Sequence, residues 1–323
     1  MKRDWAPYAV LPALVLVALP AMGATNWLVL TVAGLAMGAM LFLMAAGLTL
    51  IFGLMDVLNF AHGAFITLGA YVAVNVAAPL LGWSTADSWG LNLAVFAVAI
   101  AVAAVVSGAV GWGFERIMVR GVYGAPLRQI LVTMGGLIVA QQLFIVLWGA
   151  DAIPLLKPKM FSGSIEIGGA AIEKYRLLAL ALGLAVFAAL HLVLSRTRVG
   201  LLVRAGVENR EMVEALGYRV RRLFVGVFIV GTALAGIGGV TWAFYQELVT
   251  AQIGGDMTIL VFIILIIGGL GSVGGSLVGA MLVGLTANYV GFLAPTVSLG
   301  SNILLMVLIL LWRPRGLFPV AHG

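Results

Sequence analysis

Residues 47–73 read GLTLIFGLMDVLNFAHGAFITLGAYVA, and this stretch decides the fold. Two apolar runs flank a short polar interruption that contains Asp56, Asn59 and His62. A helix needs about 20 apolar residues to cross a bilayer. Both runs extend to that length, so the stretch predicts two membrane-spanning helices, near 28–53 and 60–81, joined by a turn.

The whole chain has the composition of a membrane protein. Of its 323 residues, 63% are hydrophobic and 9% are charged, and the mean hydropathy is +1.16. A soluble domain has roughly 45–50% apolar and about 25% charged residues. The composition therefore excludes an ordinary soluble protein. Because cysteine is absent, disulfides, iron–sulfur clusters and thiolate zinc sites are excluded as well.

Working outward from the opening stretch, the sequence predicts about ten spans in a single transmembrane domain, residues 1–323. The predicted fold class is an all-α, polytopic helical bundle. Two alternatives stay open, because residues 1–23 fit either a retained span or a cleaved signal peptide, and residues 268–279 fit either a tight turn or a break inside one helix. The predicted spans are 7–23, 28–53, 60–81, 91–113, 130–149, 177–195, 223–245, 257–271, 274–293 and 298–312.

The basic residues predict the orientation. If the N-terminus is cytoplasmic, 14 of the 18 lysines and arginines fall in cytoplasmic segments, seven of them in the loop 196–222. The positive-inside rule then places both termini in the cytoplasm. Segment 150–176 becomes the one sizeable outer loop, and SIEIGG (164–169) predicts a short hairpin with a glycine turn there.

The chain lacks the residue patterns of common catalytic sites. None of its four lysines follows a glycine, which excludes a phosphate-binding loop of the G-x-x-x-x-G-K-[ST] type. Its three histidines lie in separate segments, so an H-E-x-x-H zinc site is excluded too. Every acidic residue lies near a predicted span boundary, which argues against a proton-coupled carrier. No metal, cofactor or nucleic-acid site is predicted on this chain.

The loop 196–222 is the most informative polar segment. Within it, ENREMVEALG (208–217) predicts a short helix, because Glu208 and Glu211 suit the positive end of the helix dipole and Gly217 is placed as a C-terminal cap. A solvated loop that merely satisfies the charge rule is one interpretation. The other is a helix that docks into a groove on a cytoplasmic partner, with these apolar residues available for one side: Val207, Met212, Ala215 and Leu216.

Four segments, in this order, resemble the permease subunits of branched-chain amino acid ABC transporters. They are GLTLIFGLMDVLNFAHGAFITLGAYVA (47–73), AGVENREMVEALG (205–217), GGLGSVGGSLVGAMLVGL (268–285) and WRPRGLF (312–318). The resemblance covers most of the chain from about residue 28 onward. The early first span departs from the shorter N-terminus of the NFAHG-bearing subunits and is typical of the sister permease.

The resemblance implies a non-catalytic permease subunit in the bacterial inner membrane. The partners it implies are a homologous sister permease or a second copy, two cytoplasmic ATPase subunits that bind ATP and Mg, an external substrate-binding protein, and membrane lipid. Neighbouring families with the same signature carry urea or short amides, so these substrates stay open. A secondary carrier and a structural membrane subunit are the alternatives from other classes. The ATPase-coupling residues that the resemblance implies are Glu208, Asn209, Glu211, Ala215 and Gly217.

Polar residues within the predicted spans are candidates for a translocation path. Asn59 is placed to cap the third helix, while His62 and Gly63 in its first turn predict a closely packed element, an inner gate, beside the path. For each candidate, an ordinary interhelical hydrogen bond is the alternative. The remaining candidates for path or gate are Thr67, Asn75, Gln141 and Asn288, together with Thr133, Gln142 and Asn302.

Overall fold

A computed structural model describes residues 6–208 and 210–319. Within these residues the chain forms thirteen α-helices and four short strands. Helix α5 continues through a π turn, Glu115–Val119, and a 3₁₀ turn, Arg120–Val122. The helices are α1 (Ala6–Met22), α2 (Ala24–Met55), α3 (His62–Ala77), α4 (Leu81–Thr85), α5 (Trp89–Phe114), α6 (Pro126–Trp148), α7 (Lys174–Arg196), α8 (Arg198–Glu208), α9 (Arg210–Ala215), α10 (Val220–Gln246), α11 (Ile253–Gly268), α12 (Val273–Leu293) and α13 (Ser298–Trp312). The strands are β1 (Ile153–Pro154), β2 (Ser164–Ile167), β3 (Ala170–Glu173) and β4 (Leu248–Val249).

The predicted all-α polytopic class is confirmed, and each of the ten predicted segments contains an apolar helix. Among the described residues, six helices are long and apolar enough to span a membrane: α2, α5 with its continuation, α6, α7, α10 and α12. The other four apolar helices, α1, α3, α11 and α13, have 17 residues or fewer.

Helix α2 forms the centre of the bundle. Its 32 residues pack against α7, α10, α11 and α12. Gly34 lies against Leu285, and Gly38 lies against Ala280, where an added Cβ would come within 2.8 Å of the carbonyl oxygen. Since the later glycine of α2 meets the earlier residue of α12, the two helices are antiparallel. Small residues allow this close approach, as expected where no hydrophobic drive brings helices together.

A tight turn at residues 269–272 joins α11 and α12, so the first of the two alternatives for this region is confirmed. Gly269 and Gly271 adopt positive φ angles of 98° and 79°, which favour glycine. Beyond the turn, Gly268 packs against Gly275, and the two helices form an antiparallel hairpin.

Segment 150–176 contains the predicted hairpin. Strands β2 and β3 pair antiparallel, with Ile167 opposite Ala170. Gly168 and Gly169 form the turn with φ angles of 59° and 79°, and two residues with positive φ are what a two-residue type I′ turn requires. The sequence did not predict a second pairing, between β1 and β4, which ties this segment to the end of α10.

Candidate functional site

The polar interruption between α2 and α3 is a buried, non-helical segment. Helix α2 ends at Met55 because Asp56 adopts the left-handed conformation, with φ 51°, while its N–H still donates to the carbonyl of Phe52. The next regular helix begins only at His62. Within residues 57–61, Val57, Asn59 and Ala61 are buried.

The segment lies inside the bundle. The Nε2 of His62 donates to the carbonyl of Met44 at 2.9 Å, and the imidazole also contacts Gly47. These two residues precede the end of α2 at Met55 by eight to eleven positions, or about 12–16 Å along the helix. The predicted turn between the two helices is therefore confirmed at Asp56, but α3 does not begin directly after it. The chain instead turns back from the end of α2, and α3 starts at depth.

The side chain of Asn59 does not cap α3, and that prediction is wrong. The residue at the N-cap position is Ala61, which makes no side-chain cap. Asn59 is fully buried, and neither its amide nitrogen nor its amide oxygen has a partner among the described residues. A buried polar group without a partner costs about 1–3 kcal/mol, so the amide does not contribute to stability.

Helix α6 holds the non-helical segment in place. The hydroxyl of Thr133 accepts from the N–H of Phe60 at 3.1 Å and donates to the carbonyl of Gln129 at 2.7 Å. The aromatic ring of Phe60 stacks on Phe262 of α11, with 4.6 Å between ring centroids. Thr133 lies seven residues into α6, about 10 Å from its start, which agrees with the depth measured from α2.

The first turns of α3 and α11 meet at this depth. The hydroxyl of Thr67 accepts from the N–H of Gly254 at 2.8 Å, and the carbonyl of Gly254 accepts from Thr258 at 2.6 Å. Gly63 packs directly against Gly254, and a Cβ on either residue would meet the backbone of the other. The open N–H of α11 is thus capped by a side chain from α3, because the residue at its own N-cap position, Gln252, makes no side-chain cap.

The structure brings together most of the predicted path residues. Asn59, His62, Gly63, Thr67 and Thr133 surround the start of α3, and the Nε2 of Gln141 lies beside Gly255, where a Cβ would come within 2.8 Å. Of the four candidates that lie elsewhere, Asn75 is exposed and donates to Tyr71 of its own helix, Asn288 donates to Gly284 of its own helix and contacts Met37, and Gln142 is exposed on α6. Asn302 is buried on α13 with Oδ1 unpaired.

This arrangement suits weak binding of a polar solute. The N-terminal ends of α3 and α11, where the helix dipoles are positive, converge near the Nδ1 of His62 and the amide of Asn59, neither of which has a partner in the described part of the chain. Non-helical backbone at membrane depth is tolerated only where protein buries it or where it lines a cavity. In broken-helix carriers, such helix ends bind charged groups of the substrate.

The loop 196–222 contains two helices. The predicted helix corresponds to α9, and α8 before it was not predicted. Thr197 separates α7 from α8: its hydroxyl donates to the carbonyl of Val193 at 2.6 Å and accepts from the N–H of Gly200 at 3.3 Å. Asn209 lies outside the described residues, and so do the side chains of Glu208 and Glu211.

The predicted cap at Gly217 is confirmed. Its φ is 86°, its N–H donates to Glu214, and the N–H of Tyr218 donates to Val213. These two bonds form a Schellman motif, which satisfies the last carbonyls of the helix. Val213 is buried, whereas two of the predicted apolar docking residues, Met212 and Leu216, are 59% and 69% exposed.

Comparison with known families identifies the family to which the chain belongs. The family model for the branched-chain amino acid transport system / permease component matches residues 30–312. That range contains the α2–α3 segment, the α3–α11 junction, the loop with α8 and α9, and the α11–α12 turn. The chain belongs to this permease family. It is a multi-pass inner-membrane protein.

Individual relatives agree with the family match. The permease is 30% identical over 294 residues to the high-affinity branched-chain amino acid transport system permease protein BraD of Pseudomonas aeruginosa, which covers 88% of this chain and 93% of the relative. It is 27% identical over 291 residues to LivH of Escherichia coli strain K12, with 88% and 92% covered. A probable LivH of Methanocaldococcus jannaschii is 26% identical over 302 residues, with 86% and 88% covered.

In segment 150–176, Lys157 joins three parts of the chain. It forms an ion pair with Glu173, at the end of β3, and a second one with Glu247, after α10, at 3.0 Å. Burial alone would lower the pKa of Lys157, but the hydrogen bonds and charges of the two glutamates outweigh it and raise the pKa above its usual value. The ammonium therefore stays charged throughout the physiological pH range. We call this lysine, its two glutamates and the β1–β4 pair the loop clasp.

Sequence reasoning missed Thr258, Gln129 and the Phe60–Phe262 stack. Thr258 lies within a predicted span and could have been found with the other polar residues. Gln129 is buried, and its Oε1 has no partner among the described residues. It lies one position before the predicted span 130–149, so it was not among the polar residues of the predicted spans. The stack joins residues 202 positions apart, and the sequence carries no local signal for such a contact.

Proposed function

We propose that this permease carries branched-chain or chemically similar amino acids across the inner membrane as one subunit of an ATP-driven importer. The observation that carries the proposal is the buried non-helical segment 56–61, which holds an unpaired Asn59 where α3 and α11 meet. The names of the relatives support the substrate class. A weak polar path suffices here, because an external binding protein supplies most of the selectivity in such a machine.

We further propose that all ten apolar helices cross the membrane, with both termini in the cytoplasm. The short helices α3 and α11 then start near the middle of the bilayer, and the non-helical residues before them complete the crossing. The antiparallel packing of α2 against α12 supports this alternation of direction. The arginines of the loop 196–222 support its cytoplasmic side.

ATP binding and hydrolysis belong, in this proposal, to two ATPase subunits that dock on the loop containing α8 and α9. A homologous sister permease or a second copy completes the path. The exposed Met212 and Leu216 give α9 an apolar surface for the ATPase groove, and the buried Val213 fixes α9 against the bundle. The cap at Gly217 ends the helix sharply, so that movement of α9 reaches α10 within a few residues.

The direct test of the path is uptake of radiolabelled leucine by cells that express the complete transporter with Asn59→Ala. We expect initial uptake to fall at least about tenfold, the equivalent of about 1.4 kcal/mol in the barrier. Asn75→Ala is the matched control, because that amide is exposed and bonded to its own helix, and uptake should stay within about twofold. Unchanged uptake by Asn59→Ala would show that the translocation path does not pass through this segment. Competition by urea but not by isoleucine would reject the substrate class.

The test of docking is co-purification of the ATPase subunits with Leu216→Glu. A charge on this 69% exposed side chain should reduce ATPase recovery at least about fivefold, since a carboxylate would be desolvated in an apolar groove. The control is Ile165→Glu on β2, which is 43% exposed at the opposite end and should leave recovery unchanged. Full recovery with Leu216→Glu would contradict docking through α9.

A further inference from the structure

A groove of about 290 Å³ lies between the ends of α2, α7 and α10 and the side of α8. Its walls are apolar: Leu54 comes from α2, Val193 from α7, Val203 from α8 and Val227 from α10. Three of these four helices are long and apolar enough to span a membrane. Because the walls come from the ends of those helices, the groove opens at the boundary between the bilayer core and the polar phase.

Arg222 is the charged residue that lines the groove. It is exposed in the first turn of α10, and among the described acidic side chains none forms an ion pair with it. From Arg222 the lining continues along α10 to Val230, which is about 12 Å deeper at 1.5 Å per residue. One end of the groove is therefore cationic, and the rest is apolar.

The surroundings make the cationic end strongly positive. Four more arginines lie at the same end of the bundle, at the end of α7, at the start of α8 and around the start of α10: Arg196, Arg198, Arg219 and Arg221. Basic pockets between membrane helices on the cytoplasmic side bind anionic lipid head groups, and each basic residue near the surface contributes about 1 kcal/mol.

We propose that this groove binds one anionic phospholipid, with its phosphate on Arg222 and the upper part of one acyl chain between α2, α7 and α10. Apolar walls select the acyl chain, and the guanidinium of Arg222, which forms no ion pair with the described acidic side chains, selects the negative head group. Since Val203 of α8 forms one wall, the bound lipid contacts the same loop that carries α9. Lipid occupancy therefore stabilises the position of that loop relative to the bundle.

Two substitutions separate the two halves of this site. Arg222→Gln removes the charge from an exposed side chain and leaves the groove open. Gly226→Leu fills the groove, because Gly226 lines it and a Cβ there would meet no atom within 4 Å. The matched control is Arg221→Gln, which removes an arginine one residue away that does not line the groove.

The experiment is native mass spectrometry of the full chain, titrated with phosphatidylglycerol or with phosphatidylcholine of the same acyl composition. We expect one phosphatidylglycerol per chain, bound at least about fivefold more tightly than phosphatidylcholine. Arg222→Gln should weaken phosphatidylglycerol binding about fivefold, the equivalent of one charge near the surface. Gly226→Leu should abolish the specific binding, and Arg221→Gln should weaken it less than Arg222→Gln does, because Arg221 does not line the groove.

Several outcomes would overturn the proposal. Equal affinity for the two lipids would show that Arg222 does not recognise the head group. Unchanged binding in Gly226→Leu would show that the groove does not hold the acyl chain. Full competition by glycerol phosphate, which has no acyl chain, would reduce the site to a surface anion site. Loss of the lipid on assembly with the ATPases would assign the groove to a protein partner instead. If Gly226→Leu fails to fold, Arg222→Gln alone still decides, because Arg222 is exposed and forms no ion pair with the described acidic side chains.

Discussion

Two short non-helical connections between apolar helices, at residues 56–61 and at residues 269–272, are built in opposite ways. We call them the first and the second break. At the second break, the Ser272 hydroxyl caps α12 by accepting from Gly275 at 3.0 Å. The carbonyl of Gly268 accepts from Phe318 at 3.0 Å. At the first break, the amide of Asn59 is fully buried and has no partner among the described residues. The polar side chain at the second break is paired and the one at the first is not, so we call them the saturated and the unsaturated break.

This difference distinguishes a structural turn from a site. Polar groups that are paired stabilise the fold by about 0.5–1.5 kcal/mol each, whereas a buried group left unpaired costs about 1–3 kcal/mol. A residue that costs stability is retained for another reason, and polar residues inside membrane segments mark substrate pathways by default. Glycine content alone would have pointed to the second break as the site, because the glycines are concentrated there.

The largest expected effect comes from crowding the saturated break. In Gly275→Leu the new Cβ would meet the backbone of Gly268, so we expect a loss of about 3 kcal/mol or more in the free energy of unfolding. Thermal unfolding in detergent measures this loss. Gly274→Leu is the control, since a Cβ at that exposed neighbour meets no atom within 4 Å, and its stability should stay within about 0.5 kcal/mol. Equal stability of the two variants would contradict the close packing of α11 on α12.

A smaller effect is expected at the junction that the first break leads into. Thr67→Val keeps the shape of the side chain but leaves the N–H of Gly254 without its acceptor, which should cost about 2 kcal/mol. The same unfolding experiment measures this loss. Thr85→Val is the control, because that hydroxyl is exposed and donates to its own helix. If both threonine variants lose the same amount, the junction does not depend on this bond.

The third effect concerns the cap at the saturated break. Ser272→Ala removes the side-chain cap of α12, which should cost about 1 kcal/mol. We expect leucine uptake to stay within about twofold of the wild-type rate, because the turn is structural. A tenfold loss of uptake at unchanged expression would show that this break belongs to the path as well.

The smallest effect on stability is expected at the unsaturated break. Asn59→Ala removes an unpaired buried amide and leaves a small cavity, and these two contributions oppose each other. Stability should therefore change by less than about 1 kcal/mol while uptake falls. A loss of more than about 2 kcal/mol would mean that Asn59 has a stabilising partner, and the contrast between the two breaks would disappear.

Local patterns in the sequence were enough to predict the helices and the caps. The apolar runs predicted every apolar helix within a few residues of its ends, and the glycine pair 168–169 predicted the hairpin turn. Gly217 predicted the end of α9. Each of these features depends on residues that are close together in the chain. The cap at Gly217, for example, joins Gly217 and Tyr218 to Glu214 and Val213.

The depth of α3 could not be predicted, because it depends on contacts between distant residues. Asn59 has the residue type and spacing of a helix cap, and the local pattern does not show that the chain turns back into the bundle. The contact of His62 with Met44 and the bond of Thr67 to Gly254 set that depth. Both form only when α2, α3 and α11 pack together, and the sequence of any one helix does not contain them.

The loop clasp has a mechanical consequence. Lys157 and the β1–β4 pair fasten segment 150–176 to the residues that follow α10, and only three residues separate the end of β4 from the start of α11. A force applied to this segment is therefore transmitted along a short piece of backbone to Gly254. Since Gly254 is bonded to Thr67, the same force also reaches α3.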